Sequence, residues 1–429
     1  MRTKNALILS VAVLFLASRE GAMAQTLDTT AFVVMGEGMA AGMANFGLSS
    51  VMQNQSFPAR IAAQMKTAFP QPLIQPPGIG DVVGYPAQEV KVQTYPQGSV
   101  RQFYQPSDPK QPAGPPLFVL NVSVPGLTLN DSVTLRPVAP VVQKNMKQTV
   151  FNLILGFPQL ILDNVPLWTQ FEYAKGVLPS MALVELGYFE VLDAAVNGDP
   201  ARIPDPATFG ATYASIIAGL RSLHAQVIVT TIPNPLDTAY FSSPTSAAAV
   251  VQTSPFILTT GYQLGSRDYI TRNGLLAISN QFSNGTIAPL PAGSTPTAAT
   301  GADLTSRVNA LNTQIVNAAK ANGAVVYDLN AFLHQVKVSG AVAGSTTVTG
   351  EYLGGFYSLD AVYPAATGHA LIANDILKFL NQTYHRTFPL LDISAVASAD
   401  AAVQYLKPRG DVFTEGSLVI STFSQDQPQ

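Results

Sequence analysis

No cysteine occurs among the 429 residues, which excludes a disulfide framework, a thiolate metal site and a lipid-modified cysteine. Charge is scarce as well: Asp, Glu, Lys and Arg make up 11% of the chain, against about 25% in an ordinary soluble protein. The 23 basic residues form no block and the 26 acidic ones leave a net charge of -3, so nothing here neutralises a run of phosphates and nucleic acid is not an expected partner. The four histidines contain no pair at a ligand spacing such as His-Glu-x-x-His, and neither a phosphate loop nor a dinucleotide fingerprint is present. No metal and no cofactor are expected.

What the chain does have is apolar residues, 47% of the total, enough for a sizeable core in one large domain or two. Arg2 and Lys4 precede an apolar run over residues 6–17, and Ala22-Met23-Ala24 follows as a small-x-small cleavage site. Roughly 20 apolar residues are needed to span a bilayer, and Arg19 and Glu20 arrive too early for that. Residues 1–24 are therefore expected to be a signal peptide, with a secreted or periplasmic mature chain starting at Gln25. No transmembrane segment is expected in that mature chain.

Beyond it, short apolar runs alternate with helical patterns, which predicts parallel strands crossed over by helices. Strands are expected at residues 31–35, 117–122, 181–186, 226–232 and 324–329. Leu304, Val308, Leu311 and Ile315 mark a helix over 304–321, ended by Asn322-Gly323. Leu371, Ile372, Ile376, Phe379 and Leu380 mark another over 364–384, with Pro364 suited to its first turn. Two stretches break the alternation, 70–116 and 234–303, and are expected to be rim insertions with the character of lids, binding loops or spacers. The apolar segment 150–168 is interrupted by Pro158, Asp163 and Pro166 and is expected to hold a core helix.

Four blocks carry a family resemblance. The first is Gly36-Glu37-Gly38-Met39-Ala40-Ala41-Gly42 after the first strand; the second is Asn121-Val122-Ser123-Val124-Pro125-Gly126. The third is Gly187-Tyr188-Phe189-Glu190, and the fourth is Asp360-Ala361-Val362-Tyr363-Pro364. In order and spacing, over residues 31–385, they resemble the SGNH/GDSL hydrolase superfamily of lipases and esterases. The resemblance implies a three-layer α/β/α sandwich with a parallel, flavodoxin-like sheet: a domain over 25–385, with 386–429 as a C-terminal extension.

The same resemblance implies where ester hydrolysis would be performed, and at those positions this chain departs from the pattern. Gly38 stands in place of the nucleophilic Ser, Phe189 in place of an Asn that donates to the oxyanion, and Tyr363 in place of the His base. Only Gly126, an oxyanion donor through its N–H, and Asp360, which orients the base, keep the family residue. Losing one oxyanion donor costs about 2.7–4 kcal/mol of transition-state stabilisation. A phenol with a pKa near 10 is a poor proton shuttle at neutral pH.

Ser49, Ser50 and Ser56 are the candidates for a displaced nucleophile. Glu37, standing where the family has Asp, suits a carboxylate nucleophile or a helix N-terminal acid. Glu190 suits a hydrogen bond to a loop, His369 a structural place on the following helix, His224 and His385 helix ends, and His334 a surface or loop position. The expectation is an impaired esterase whose former cleft, edged by Gly36, Gly38, Gly126, Phe189, Asp360 and Tyr363, binds an acyl or glycan-like ligand. An active carboxylesterase with a displaced nucleophile and an envelope interaction protein are the alternatives.

Overall fold

The computed structural model describes residues 26–85, 103–104, 117–157, 159–160, 167–404 and 406. The expected signal peptide and most of the 70–116 insertion lie outside them. Four strands form the central sheet: β1 (Phe32–Gly36), β2 (Met181–Glu185), β3 (Gln226–Thr230) and β4 (Val325–Tyr327). They lie in that order, all parallel, with Gly36 opposite Glu185, Met181 opposite Gln226, and Thr230 opposite Tyr327. Every residue of β1, β2 and β3 is buried, so these strands are covered on both faces, as the runs Phe-Val-Val-Met and Gln-Val-Ile-Val-Thr require.

Residues 117–122 supply less strand than expected. Asn121 bridges Val34 on the outer side of β1, with Val34 N–H donating to Leu120 O and Val122 N–H to Val34 O, both at 2.9 Å. Val124 N–H continues the pairing to Gly36 O at 3.1 Å, and it stops there because Pro125 has no N–H and Gly126 turns the chain at φ 75°. β4 is also shorter than expected, since Asp328 caps the helix Leu329–Ser339 by accepting the Ala331 N–H.

Helices flank the sheet in two groups. α1 (Gly38–Ala41) is one turn; α2 (Phe57–Met65) packs with α6 (Ala366–Tyr384). The other group is α3 (Tyr188–Val196), α4 (Pro206–Arg221) and α5 (Ala298–Ala321). Leu304, Val308, Leu311 and Ile315 form the fully buried stripe of α5, which starts six residues earlier than expected behind the Thr297 cap.

α6 starts at Ala366, later than expected, because Pro364 pairs with Tyr357 and closes the preceding loop. Its N-cap, Ala365, has no side chain to offer. Asp400 of the C-terminal extension does that work, its Oδ2 accepting the Thr367 N–H at 2.6 Å. The described part of the extension packs on α6 through Asn374 and Leu391, and through Asn381 and Phe388, each pair exchanging two hydrogen bonds.

The 234–303 stretch is folded. It holds the helices Pro244–Val250, Pro255–Gly261 and Arg272–Ser283, and an antiparallel pair, Phe241–Ser242 with Ile270–Thr271. Within 150–168, the described helix is Met146–Leu155, buried from Thr149 onward. Among the described residues no helix is long and apolar enough to cross a membrane.

Candidate functional site

The chain leaves β1 for Asn121 on one side and returns as β2 on the other, so the carboxyl end of β1 is a topological switch point, the place where open parallel sheets hold ligands. Glu37 follows β1 there. Glu185 ends β2, Phe189 and Glu190 sit in the first turn of α3, Gly126 ends the segment beside β1, and Asp360 and Tyr363 come from the loop before α6.

Glu37 is fully buried and caps α1, its Oε1 accepting the Met39 N–H at 2.9 Å. The Tyr363 hydroxyl, 326 residues away in sequence, donates to its Oε2 at 3.1 Å. Burial pushes the Glu37 pKa up, while the backbone N–H groups of Gly38, Met39 and Gly126 and the Tyr363 hydroxyl pull it back. One of these amides, Gly126, is at a position where the family resemblance puts an oxyanion donor, and Gly38 is at the position where it puts the nucleophile. Here they act on a carboxylate supplied by the chain itself.

Tyr363 also fills the space over Gly38. A Cβ at Gly38 would lie 2.6 Å from both Cζ and Oη of Tyr363, closer than real contacts allow. Burial, then the negative charge of Glu37, drives the phenol pKa well up, so its proton stays on and donates. Asp360 is fully buried and faces backbone: Oδ1 accepts from Val362 N at 2.9 Å and Tyr363 N at 2.8 Å, and Oδ2 from Phe46 N at 3.4 Å. It holds the turn that delivers Tyr363 and orients no base.

The expected open cleft is therefore closed over most of its length. Gly36, Gly38, Asp360 and Tyr363 are buried, and only Gly126 and Phe189 are half-buried. A Cβ on Gly126 would touch Phe189 and Lys147 at 3.8 Å, which makes these three the remaining rim.

Glu185 is the second buried carboxyl. Its Oε2 accepts the Glu37 N–H at 3.3 Å, and burial together with the neighbouring Glu37 pushes its pKa well above the carboxylate range. Glu37 has more donors, which holds its pKa below that of Glu185. A Cβ at Gly36 would lie 2.8 Å from that Oε2, hence glycine there. Glu190 accepts the Leu129 N–H at 2.6 Å through Oε1; its enclosed Oε2 has no partner, and burial raises its pKa to about 7.

The structure does not bring the candidate serines to Asp360. Ser56 caps α2 and donates to Gln53 O; Ser50 is buried in the short helix Ser50–Gln53, and Ser49 precedes it. His369 is buried in α6, its Nδ1 accepting the Phe57 N–H at 3.3 Å, its pKa pushed down to about 3 by burial and then by Arg60. His224 and His385 follow the ends of α4 and α6 with positive φ. His334 is exposed on the helix Leu329–Ser339 and faces Asp237 at 3.1 Å. Among the described residues no group of three or more His, Asp or Glu could hold a metal.

Sequence reasoning missed Gln170, whose buried Nε2 donates to Gly36 O and Val122 O, both at 2.9 Å, tying β1 to its outer neighbour. It also missed the aromatic side chains over the Asp360 turn, where Tyr85 donates to Asp360 O at 2.5 Å. Neither has a local pattern, since each joins residues far apart in sequence.

No family model matches the chain, and no curated protein matches it. Among solved structures it is similar to LAE5, described as an alpha/beta hydrolase enzyme from the metagenome of Lake Arreo, Spain, at 12% identity and TM-score 0.33, covering 82% of this chain and 94% of that one. It is similar to TesA at 13% identity and TM-score 0.32, covering 82% of this chain and 98% of that one. Likenesses of that size carry nothing about activity. The fold rests on the parallel sheet and its flanking helices.

Proposed function

We propose that this is an exported, hydrolytically silent relative of the SGNH/GDSL esterases, kept for binding rather than turnover. The observation that carries the reading is the Glu37 carboxylate seated among the Gly38, Met39 and Gly126 amides and the Tyr363 hydroxyl. By the family resemblance an ester carbonyl would need the Gly126 amide to stabilise its developing oxyanion, and among the described residues no serine or histidine stands beside it. What stays accessible at the switch point is the rim of Gly126, Phe189 and Lys147, where an aromatic face and an aliphatic stem suit an acyl or glycan-like ligand.

The test is a fluorophosphonate label and a panel of p-nitrophenyl esters, applied to the chain beginning at Gln25. Neither labelling nor turnover above an Asp360→Ala control is expected. A labelled serine, or turnover that Glu37→Gln abolishes, overturns the reading. For export, the N-terminal sequence of the chain recovered outside the cytoplasm is expected to begin at Gln25, and an intact Met1 in that fraction contradicts it.

A further inference from the structure

We infer that Arg272 forms an anion-binding site, separate from the closed ester site, that takes a carboxylate attached to a ring or apolar body. Arg272 opens the helix Arg272–Ser283 in the 234–303 insertion. Its guanidinium carbon lies 5.2 Å from the ring centre of Tyr85 and 5.8 Å from those of Phe46 and Tyr352. Tyr85 packs edge-on against Phe46 at 5.0 Å and against Tyr240 at 5.8 Å, so the rings form one wall. The wall stands on the Asp360 turn, through Tyr85 Oη on Asp360 O and Phe46 N on Asp360 Oδ2.

The guanidinium is short of acceptors. None of the ion pairs among the described residues includes it, and its Nε is enclosed without a hydrogen-bond partner. Among the described residues, Tyr352 is the side chain placed to hydrogen-bond it. Rings packed around a guanidinium are attracted to its charge and leave in-plane N–H groups to donate, here those of the two terminal nitrogens because Nε is enclosed. A carboxylate matches that edge with two parallel hydrogen bonds, and an attached ring finds Tyr85 and Tyr352 beside it.

Within the insertion, residues 238–266 and 273–302 contain no Asp, Glu, Lys or Arg, and the acid behind the wall, Asp360, is taken up by the N–H groups of Phe46, Val362 and Tyr363. A single cation set among aromatic rings suits a small oxyanion on an apolar or sugar ring, whereas a polyanion would need further cations.

The site is independent of the silent-esterase reading and stands if hydrolysis is found. Its test is calorimetry of the native chain with benzoate, glucuronate and sulfate, with methyl benzoate as the neutral control. Benzoate and glucuronate are expected to bind, and methyl benzoate to bind at least tenfold more weakly than benzoate. Arg272→Gln is expected to weaken benzoate at least tenfold while leaving the circular dichroism spectrum unchanged, with Arg272→Lys in between. Equal affinity for benzoate and its methyl ester, or no binding of any probe by the native chain, overturns the proposal and leaves Arg272 as a rivet between insertion and turn. Binding of sulfate alone overturns the carboxylate-and-ring assignment. The ester comparison needs no variant, so it decides the matter even if Arg272→Gln fails to fold.

Discussion

While Tyr363 keeps its ring over Gly38, a side chain as small as serine has no room there, so the two positions must change together. Gly38→Ser alone is expected to cost about 1–3 kcal/mol in urea denaturation, the range for overpacking a filled interior. Adding Tyr363→His should recover most of that, giving a strongly non-additive double-mutant cycle. Additive costs would mean that Tyr363 does not occupy the space over Gly38.

Glu190 gives a second expectation at this scale. Its folded pKa, about 7, lies above the unfolded value near 4.3, so the stability tied to its neutral form is fully present below about pH 4.3 and lost as pH rises through 7. Relative to Glu190→Gln, which keeps the acceptor for the Leu129 N–H, the native chain should lose on the order of 1–3 kcal/mol across that window. Denaturation midpoints read at several pH values check this, and a gap independent of pH contradicts it.

Among the elements, α6 depends on a residue from beyond its own end. Ala365 cannot cap it, and Asp400 can because the extension folds back along the helix. Asp400→Ala is therefore expected to cost about 1 kcal/mol by thermal or chemical unfolding, the usual loss for a removed cap. Gln170→Leu should cost about 2 kcal/mol, since Gly36 O and Val122 O each lose a buried donor. A neutral result in either case would separate these contacts from the stability of the helix or of the β1 edge.

The elements were largely legible in the sequence. Val33-Val34-Met35 and Val227-Ile228-Val229 are short apolar runs suited to strands buried on both faces, and the three- and four-residue spacing from Leu304 to Ile315 marks a helix face. Ends were less legible. Pro364 looks like a helix start until Tyr357 is seen across the loop, and Thr297 caps α5 earlier than its apolar stripe begins.

For the whole molecule, the departures of Glu37, Gly38 and Tyr363 from the family pattern that the sequence resembles are local and visible in the sequence. That they form one filled arrangement is not visible, since the hydrogen bond between Tyr363 and Glu37 and the contact between Tyr363 and Gly38 join opposite ends of the chain. The Arg272 wall is hidden for the same reason: Phe46, Tyr85, Tyr352 and Arg272 come from four separate loops or helix ends.

The proposed function is that of an ester site closed from within on an intact scaffold. It is tested most directly by p-nitrophenyl ester turnover of the native chain beside a variant carrying Glu37→Asp, Gly38→Ser, Phe189→Asn and Tyr363→His together. The account predicts no turnover by the native chain and measurable turnover by the fourfold variant, lost again on adding Asp360→Ala. Turnover by the native chain that the four changes reduce would contradict it.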